Sequence, residues 1–198
     1  MKKSIIASAL FVFAATVNAQ SSYFGIEGGA AFADIKADET AQYLANASGR
    51  TTSYTYDKGT GVARIYYGTN VAKNIDLEIG YFMTGDLKAS YSNSLGTANE
   101  KYSAYGVDLS AVYRPEPTGV FFKAGVHQSK IDGNANVTIG SYSAAASGSE
   151  SGAGVLVGIG YDAKLSNDLY WHTAVTHMNK VAGEINVNVI TLGISKKF

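Results

Sequence analysis

Apolar and polar positions alternate with a period of two through most of this chain, the spacing of β-strands with one face apolar and the other polar. Eight segments carry the pattern. In residues 23–32, Phe24, Ile26, Ala30 and Phe32 share one face, and Tyr23, Gly25 and Glu27 the other. Residues 61–71 place Ala63, Ile65, Tyr67 and Val71 opposite Arg64, and residues 75–84 place Leu77, Ile79, Tyr81 and Met83 opposite Asp76, Glu78 and Gly80. In 102–114 the apolar set is Tyr105, Val107, Leu109, Ala111 and Tyr113, facing away from Asp108, Ser110 and Arg114. Segment 120–129 opposes Val120, Phe122, Ala124 and Val126 to Lys123 and His127. Segment 152–162 opposes Val155, Val157, Ile159 and Tyr161 to Gly154, Gly158 and Gly160. Segment 169–179 sets Trp171, Thr173 and Val175 against His172 and Ala174. The last segment, 187–198, carries Ile190, Leu192, Ile194 and Lys196 on one face, Thr191, Gly193, Ser195 and Lys197 on the other, and ends on Phe198.

Mid-strand charges fall on the face opposite the aliphatic residues. A soluble β-sandwich or lipocalin-like barrel would turn its aliphatic face inward. Here the face that could line an interior holds glycines and charges, and the other holds Ile, Val, Leu and Tyr. Lipid on the outside explains this arrangement, because a charge on a lipid-facing strand costs roughly 2–4 kcal/mol near the midplane. The connections alternate too: short at 72–74, 115–118 and 163–168, long and polar at 36–60, 85–101 and 131–151, with a short exception at 180–184. The expected fold is an all-β, eight-stranded antiparallel up-and-down transmembrane barrel, with short turns at one end and long loops at the other.

The chain begins with Lys2 and Lys3, an apolar run from Ile5 to Val17, and Val17-Asn18-Ala19 before Gln20. Those are the basic, apolar and small-residue parts of a secretory signal peptide, with cleavage expected between Ala19 and Gln20. The expected organisation is a signal peptide over 1–19 and one barrel domain over 20–198. A mean hydropathy of −0.01 suits alternating strands better than apolar helices. Formal net charge is +0, which gives no footprint for nucleic acid. With no cysteine there is no disulfide or thiolate site.

Four motifs, in their order and spacing, resemble the transmembrane domain of the outer membrane protein A family and, more loosely, the small OmpX and OmpW barrels. They are Leu77-Glu78-Ile79-Gly80-Tyr81, Val120-Phe121-Phe122-Lys123-Ala124-Gly125, Gly158-Ile159-Gly160-Tyr161 and the closing Leu192-Gly193-Ile194 with terminal Phe198. The resemblance implies a Gram-negative outer membrane, surrounded by lipid and lipopolysaccharide and reached with periplasmic chaperones. It also implies that Leu192, Ile194 and Phe198 form the signal read by the barrel-assembly machinery. The peptidoglycan-binding domain of outer membrane protein A is not expected, since the chain stops at the barrel. Glu78 and Lys123 match an acidic and a basic lumenal position of that family. His172 stands in place of an arginine and Gly160 in place of a second carboxylate, so the resemblance implies only half of the family's lumenal gate.

Candidate chemistry is concentrated in the lumenal set Glu27, Arg64, Asp76, Glu78, Asp108, Arg114 and Lys123. Paired carboxylates can serve acid–base work. A charged interior must in any case pair internally, since lone buried charges are costly, so the set reads as a structural cluster or a gate. His127, His172 and His177 converge on no ligand set, and neither a metal nor a cofactor is expected. Thr176-His177-Met178-Asn179 is similar to a short motif of outer-membrane lipid A deacylases in which serine follows histidine by two. Asn179 takes that place here, so a lipid A-modifying enzyme is a remote alternative and no catalytic residue is assigned. Gly25, Gly80, Gly125, Gly158, Gly160 and Ala174 are read as leaving lumenal room for water. Loop 36–60, with Asp38, Glu39, Tyr43, Tyr54 and Tyr56, suits contacts with proteins or glycans, and the Ser, Ala and Gly-rich 131–151 reads as a flexible cover. The expected role is structural and surface-interacting in a monomer, with a host or phage ligand at the loops. The alternative is a narrow channel for small solutes.

Overall fold

The computed structural model describes residues 21–33, 37–116, 118–183 and 185–198; the expected signal peptide and its Ala19–Gln20 junction lie outside these. The strands are β1 (Ser22–Ala33), β2 (Ser53–Tyr56), β3 (Thr60–Ala72), β4 (Ile75–Thr84), β5 (Leu87–Asn93), β6 (Gly96–Tyr113), β7 (Val120–Ile139), β8 (Tyr142–Lys164), β9 (Leu169–Val181) and β10 (Ile185–Lys197). One helix, α1 (Ala37–Ser48), lies between β1 and β2. Eight strands, β1, β3, β4, β6, β7, β8, β9 and β10, close into an antiparallel barrel as expected. β1 pairs with both β3 and β10, and β6 bridges β4 and β7.

The predicted faces hold. Ile26, Ile65, Val107, Val126, Val157 and Leu192 point out of the barrel, and Tyr23, Tyr66, Glu78, Asp108, Lys123 and His172 are buried inside it. At the end bearing Phe198 and the short turns, outward aromatic residues meet in pairs, Tyr67 with Phe198 and Tyr161 with Trp171. Asn74 takes a φ of +64° in the β3–β4 turn, a conformation that asparagine tolerates better than most side chains.

The far end departs from expectation. Residues 85–101 are not a loop but the β5–β6 hairpin, whose turn is held by Asn93 Oδ1 accepting from the Leu95 and Gly96 amides at 2.9 and 3.2 Å. Residues 131–151 are not a flexible cover but the continuation of β7 and β8, paired without a register shift from Val120–Tyr161 to Ile139–Tyr142. Gly140, at φ +58°, makes the tight turn between them. The strands β2, β5, β6, β7 and β8 thus run on past the barrel as a projecting sheet. Small, low-contrast residues hid these strands, whose formation depends on the ladder to their neighbours more than on propensity.

Loop 36–60 contains α1 and β2. Asp38 and Glu39 occupy the first turn of α1, where the helix dipole favours negative charge. Gly49, at φ +64°, ends the helix, and the Arg50 amide donates back to the Ala45 carbonyl at 3.2 Å in a Schellman closure. Ala37, Ala41 and Leu44, at helical spacing, pack on Ala89, Tyr91 and Ala98 of the projecting sheet.

Candidate functional site

The alternation of β1, β3, β4, β6 and β7 aims all seven predicted charges into the lumen, and register brings them to neighbouring levels: Glu27 lies opposite Arg64, and Glu78 opposite Ser110. Arg64 is the centre of the network. It holds Glu27 at 2.5 Å, forks onto Asp108 at 2.7 and 2.8 Å, and reaches Glu78 at 3.2 Å. Lys123 approaches the same Glu78 oxygen at 3.1 Å. Arg114 pairs with Asp76, with Asp162 at 2.7 Å, and more loosely with Glu78 at 3.7 Å.

Neutral donors satisfy the remaining oxygens: Tyr23 donates to Glu78 at 2.9 Å and Thr191 to Glu27 at 2.7 Å. Aromatic rings pack against the cations. The Arg64 guanidinium lies 4.6 Å from the centre of the Tyr66 ring, and Arg114 lies 5.3 Å from both Tyr23 and Phe121. Tyr66, Phe121 and Asp162 were missed in the sequence, although each sits at inward parity on its strand, and Tyr23 and Thr191 were placed on the inward face without a role in the charge network. Asp162 in particular continues the inward row of Gly154, Gly158 and Gly160.

The small lumenal residues do not leave room for water at the positions where the rings lie. A methyl group on Gly25 would land on the Tyr66 ring, one on Gly68 on Tyr23, one on Gly160 on Phe121, and one on Gly80 on Arg64 and Asp108. These glycines are notches filled from the neighbouring strand. The close approach lets large side chains occupy an interior as narrow as that of an eight-stranded barrel.

Above the charged layer, toward the projecting sheet, the inward face changes character. Ala31, Val62, Phe82, Leu156, Met178, Val181, Val187 and Val189 form a buried apolar layer. The β9–β10 turn folds in over it: Val181 and Ala182 are buried, and the Ala182 amide donates to Ser129 Oγ at 2.8 Å. Two small cavities bordering this layer measure about 50 and 30 Å³, room for one or two waters. The lumen is therefore occupied at two levels, by an ion network and by an apolar layer under a tucked turn.

The histidines lie apart. His127 donates through Nε2 to the Asn179 carbonyl at 3.0 Å and meets Phe82 edge-on. His172 Nε2 lies 3.4 Å from the Tyr66 hydroxyl. His177 faces outward, its Nδ1 2.9 Å from Asn188 Oδ1, and Asn179 Nδ2 donates to Asn186 at 3.0 Å. Among the described residues, no group of His, Asp and Glu is arranged to hold a metal ion. On the projecting sheet, Glu100 accepts from Tyr102 at 2.8 Å and from Tyr91 at 3.4 Å. Burial, then the Glu100 charge, push the Tyr91 phenol above its ordinary pKa.

Comparison with known proteins gives one family and a set of similar folds. The sequence profile described as the outer membrane protein beta-barrel domain matches residues 4–198. Ail, the attachment invasion locus protein of Yersinia pestis, is similar in structure at 13% identity with a TM-score of 0.53, covering 91% of this chain and 99% of that one. Ail in complex with the heparin analogue sucrose octasulfate aligns at 12% identity and a TM-score of 0.50, over 90% and 100% of the two chains. The outer membrane protein OprG from Pseudomonas aeruginosa aligns at 12% identity and a TM-score of 0.48, over 91% and 97%. At such identities the likeness is one of fold. No curated protein matches the chain.

Proposed function

This chain belongs to the outer membrane protein beta-barrel domain family, and from its place in the Gram-negative outer membrane we propose that it is a closed barrel whose work is done by the structures it carries outside the cell. The observation behind this reading is the filling of the lumen. Charges that pair within the wall, rings seated in glycine notches and the inward β9–β10 turn occupy successive levels of it, which supports a barrel without a conducting role. What remains accessible is the far end, which the alternation of short turns and long connections assigns to the cell exterior. There α1, β2 and the projecting sheet present Tyr43, Tyr54, Tyr56 and Tyr142 to solvent. Tyrosines on a rigid support supply contact area at low entropic cost, which suits a role in contacting other cells, phage or host surfaces.

The same reading assigns residues 1–19 to secretion, with cleavage between Ala19 and Gln20. It assigns Leu192, Ile194 and Phe198, on the outer face of β10 and at its end, to recognition by the assembly machinery. Lipopolysaccharide surrounds the monomer.

Two measurements test the proposal. Refolded barrel in a planar bilayer, with folding verified by a heat-sensitive gel shift, is expected to record no discrete openings, and Glu78→Ala is expected to behave the same way. Openings altered by that change would establish a lumenal path and overturn the reading in favour of a solute channel. Cells in which 36–60 and the projecting hairpin are shortened together are expected to lose surface attachment. Attachment at the wild-type level would remove the surface role.

A further inference from the structure

A polar groove runs between α1 and β2. Along α1, Asp38, Gln42 and Asn46 recur every four residues and form one row of side chains. Ala41, Ala45 and, just past the helix, Gly49 form a row of small residues beside it. The register of β2 with β5 sets Tyr54 opposite Tyr91 and Tyr56 opposite Ala89. Paired residues share a face of the sheet. Tyr91 and Ala89 lie under α1, so both tyrosines of β2 are turned to the helix side. β2 is the outermost strand of the sheet, and its two rings stay exposed beside the helix, stacked at 6.3 Å with 21° between their planes. The groove measures about 480 Å³, within the range of roughly 300–1,000 Å³ typical of small-ligand clefts.

Asp38, Gln42 and Asn46 line the groove from the helix, and Arg50, Thr52 and Tyr54 line it from the segment that leads into β2 and from β2 itself. Among the described residues, the side chains of Asp38, Gln42, Asn46 and Arg50 have no hydrogen-bond or ion-pair partner. An amide side chain both donates and accepts, and a carboxylate accepts at two oxygens. Neighbouring hydroxyls of a sugar ring both donate and accept, so they match this set. The lining carries one carboxylate and one guanidinium and so has no net charge. A sulfated or phosphorylated chain would call for clustered basic side chains instead. Tyr54 adds a flat ring whose negative face attracts the positive C–H side of a pyranose, as it does the edge of another aromatic ring. The walls are held before any ligand arrives. Ala37 and Ala41 seat α1 on the sheet, Asn93 Nδ2 donates to Ser48 Oγ at 3.5 Å at the last residue of the helix, and the Asp57 amide after β2 donates to the Lys88 carbonyl at 2.9 Å. Preformed walls lower the ordering cost of binding.

We propose that the groove between α1 and β2 binds a neutral saccharide carried by the surface that the cell contacts. A pyranose ring stacks on Tyr54, and its hydroxyls exchange hydrogen bonds with Asp38, Gln42 and Asn46. The small residues Ala41, Ala45 and Gly49 give the ring depth. This rests on the surface-contact reading above and names its site and its class of ligand.

The test uses the full barrel folded in nanodiscs. The probes are neutral trisaccharides of glucose, galactose, mannose and N-acetylglucosamine, a heparin hexasaccharide, and the delipidated polysaccharide of the cell's own lipopolysaccharide. Saturation-transfer NMR is expected to show saturable binding of at least one neutral trisaccharide, with the strongest transfer to its ring C–H protons. Tyr54→Ala is expected to weaken that binding about tenfold, whereas Tyr54→Phe, which keeps the ring, retains it. Gln42→Ala combined with Asn46→Ala is expected to weaken it comparably in barrel that passes the gel-shift test and resists proteolysis between β1 and β2. No binding of any neutral trisaccharide, tighter binding of the heparin fragment or of the cell's own polysaccharide, or insensitivity to Tyr54→Ala would each overturn the assignment. Absence of sugar binding in cells whose attachment still depends on 36–60 overturns the groove alone, whereas attachment that survives that shortening removes the broader role.

Discussion

Glu78 is buried where Lys123, Arg64 and Arg114 converge, with Tyr23 donating to its remaining oxygen. Removing one partner from a buried charge network is far costlier than the net worth of the network, because the charges left behind lose their compensation. Glu78→Ala is therefore expected to destabilise the barrel by about 3–5 kcal/mol, read as a lowered urea midpoint in lipid. Asp162→Asn is expected to cost less, since Asp162 and Arg114 are partly open to solvent. The glycine notches make a complementary prediction. Gly25→Ala puts a methyl group on the Tyr66 ring, and overpacking of this kind costs about 1–3 kcal/mol. The accompanying Tyr66→Ala change should recover part of that loss in a double-mutant cycle. Inward charges were legible at this scale because a charge contrasts with its aliphatic neighbours. Tyr66 and Phe121 were not, because an aromatic residue suits either face and only the glycine opposite it decides.

At the scale of the element, α1 and the β7–β8 extension depend on neighbours that lie far away in sequence. α1 is short, and a helix of its length is marginal without tertiary packing; its stability comes from seating Ala37 and Ala41 on the projecting sheet. Ala41→Asp is expected to free the helix, seen as rapid proteolysis between β1 and β2, while the gel shift of the barrel is unchanged. The polarity of β7 also reverses along its length: Val120, Phe122, Ala124 and Val126 face out, whereas Ile131, Val137 and Ile139 share the inward face. This reversal marks where the strand leaves lipid for water, and with it the outward face becomes the polar one. It was present in the sequence, but Gly133 and Ala135 take two of the inward places between Ile131 and Val137, so the apolar contrast faded where the strand continued.

For the whole molecule, the inside-out distribution of polarity decides the environment. The outward band of Ile, Val and Leu would be unfavourable in water, and the charged lumen unfavourable without closure of the wall. Leu109→Arg, on the outer face of β6, is expected to cost about 2–4 kcal/mol in a bilayer. The same change at Ala145, outward on the projecting hairpin, is expected to have little effect on folding. The paired urea titrations would locate the membrane boundary on the strands.

The alternation of side chains, with charges restricted to one face and short turns alternating with long connections, determined the barrel, its eight wall strands, their inward and outward faces and the seven lumenal charges. Those are local consequences of a two-residue period and of the cost of charge in lipid. Whether the lumen is open or filled, that the long connections are strands and a helix, and that Tyr54 and Tyr56 stand beside α1 were decided only in the tertiary structure. Each depends on register between strands distant in sequence, which sets the ring that enters each glycine notch and the partner each backbone edge meets.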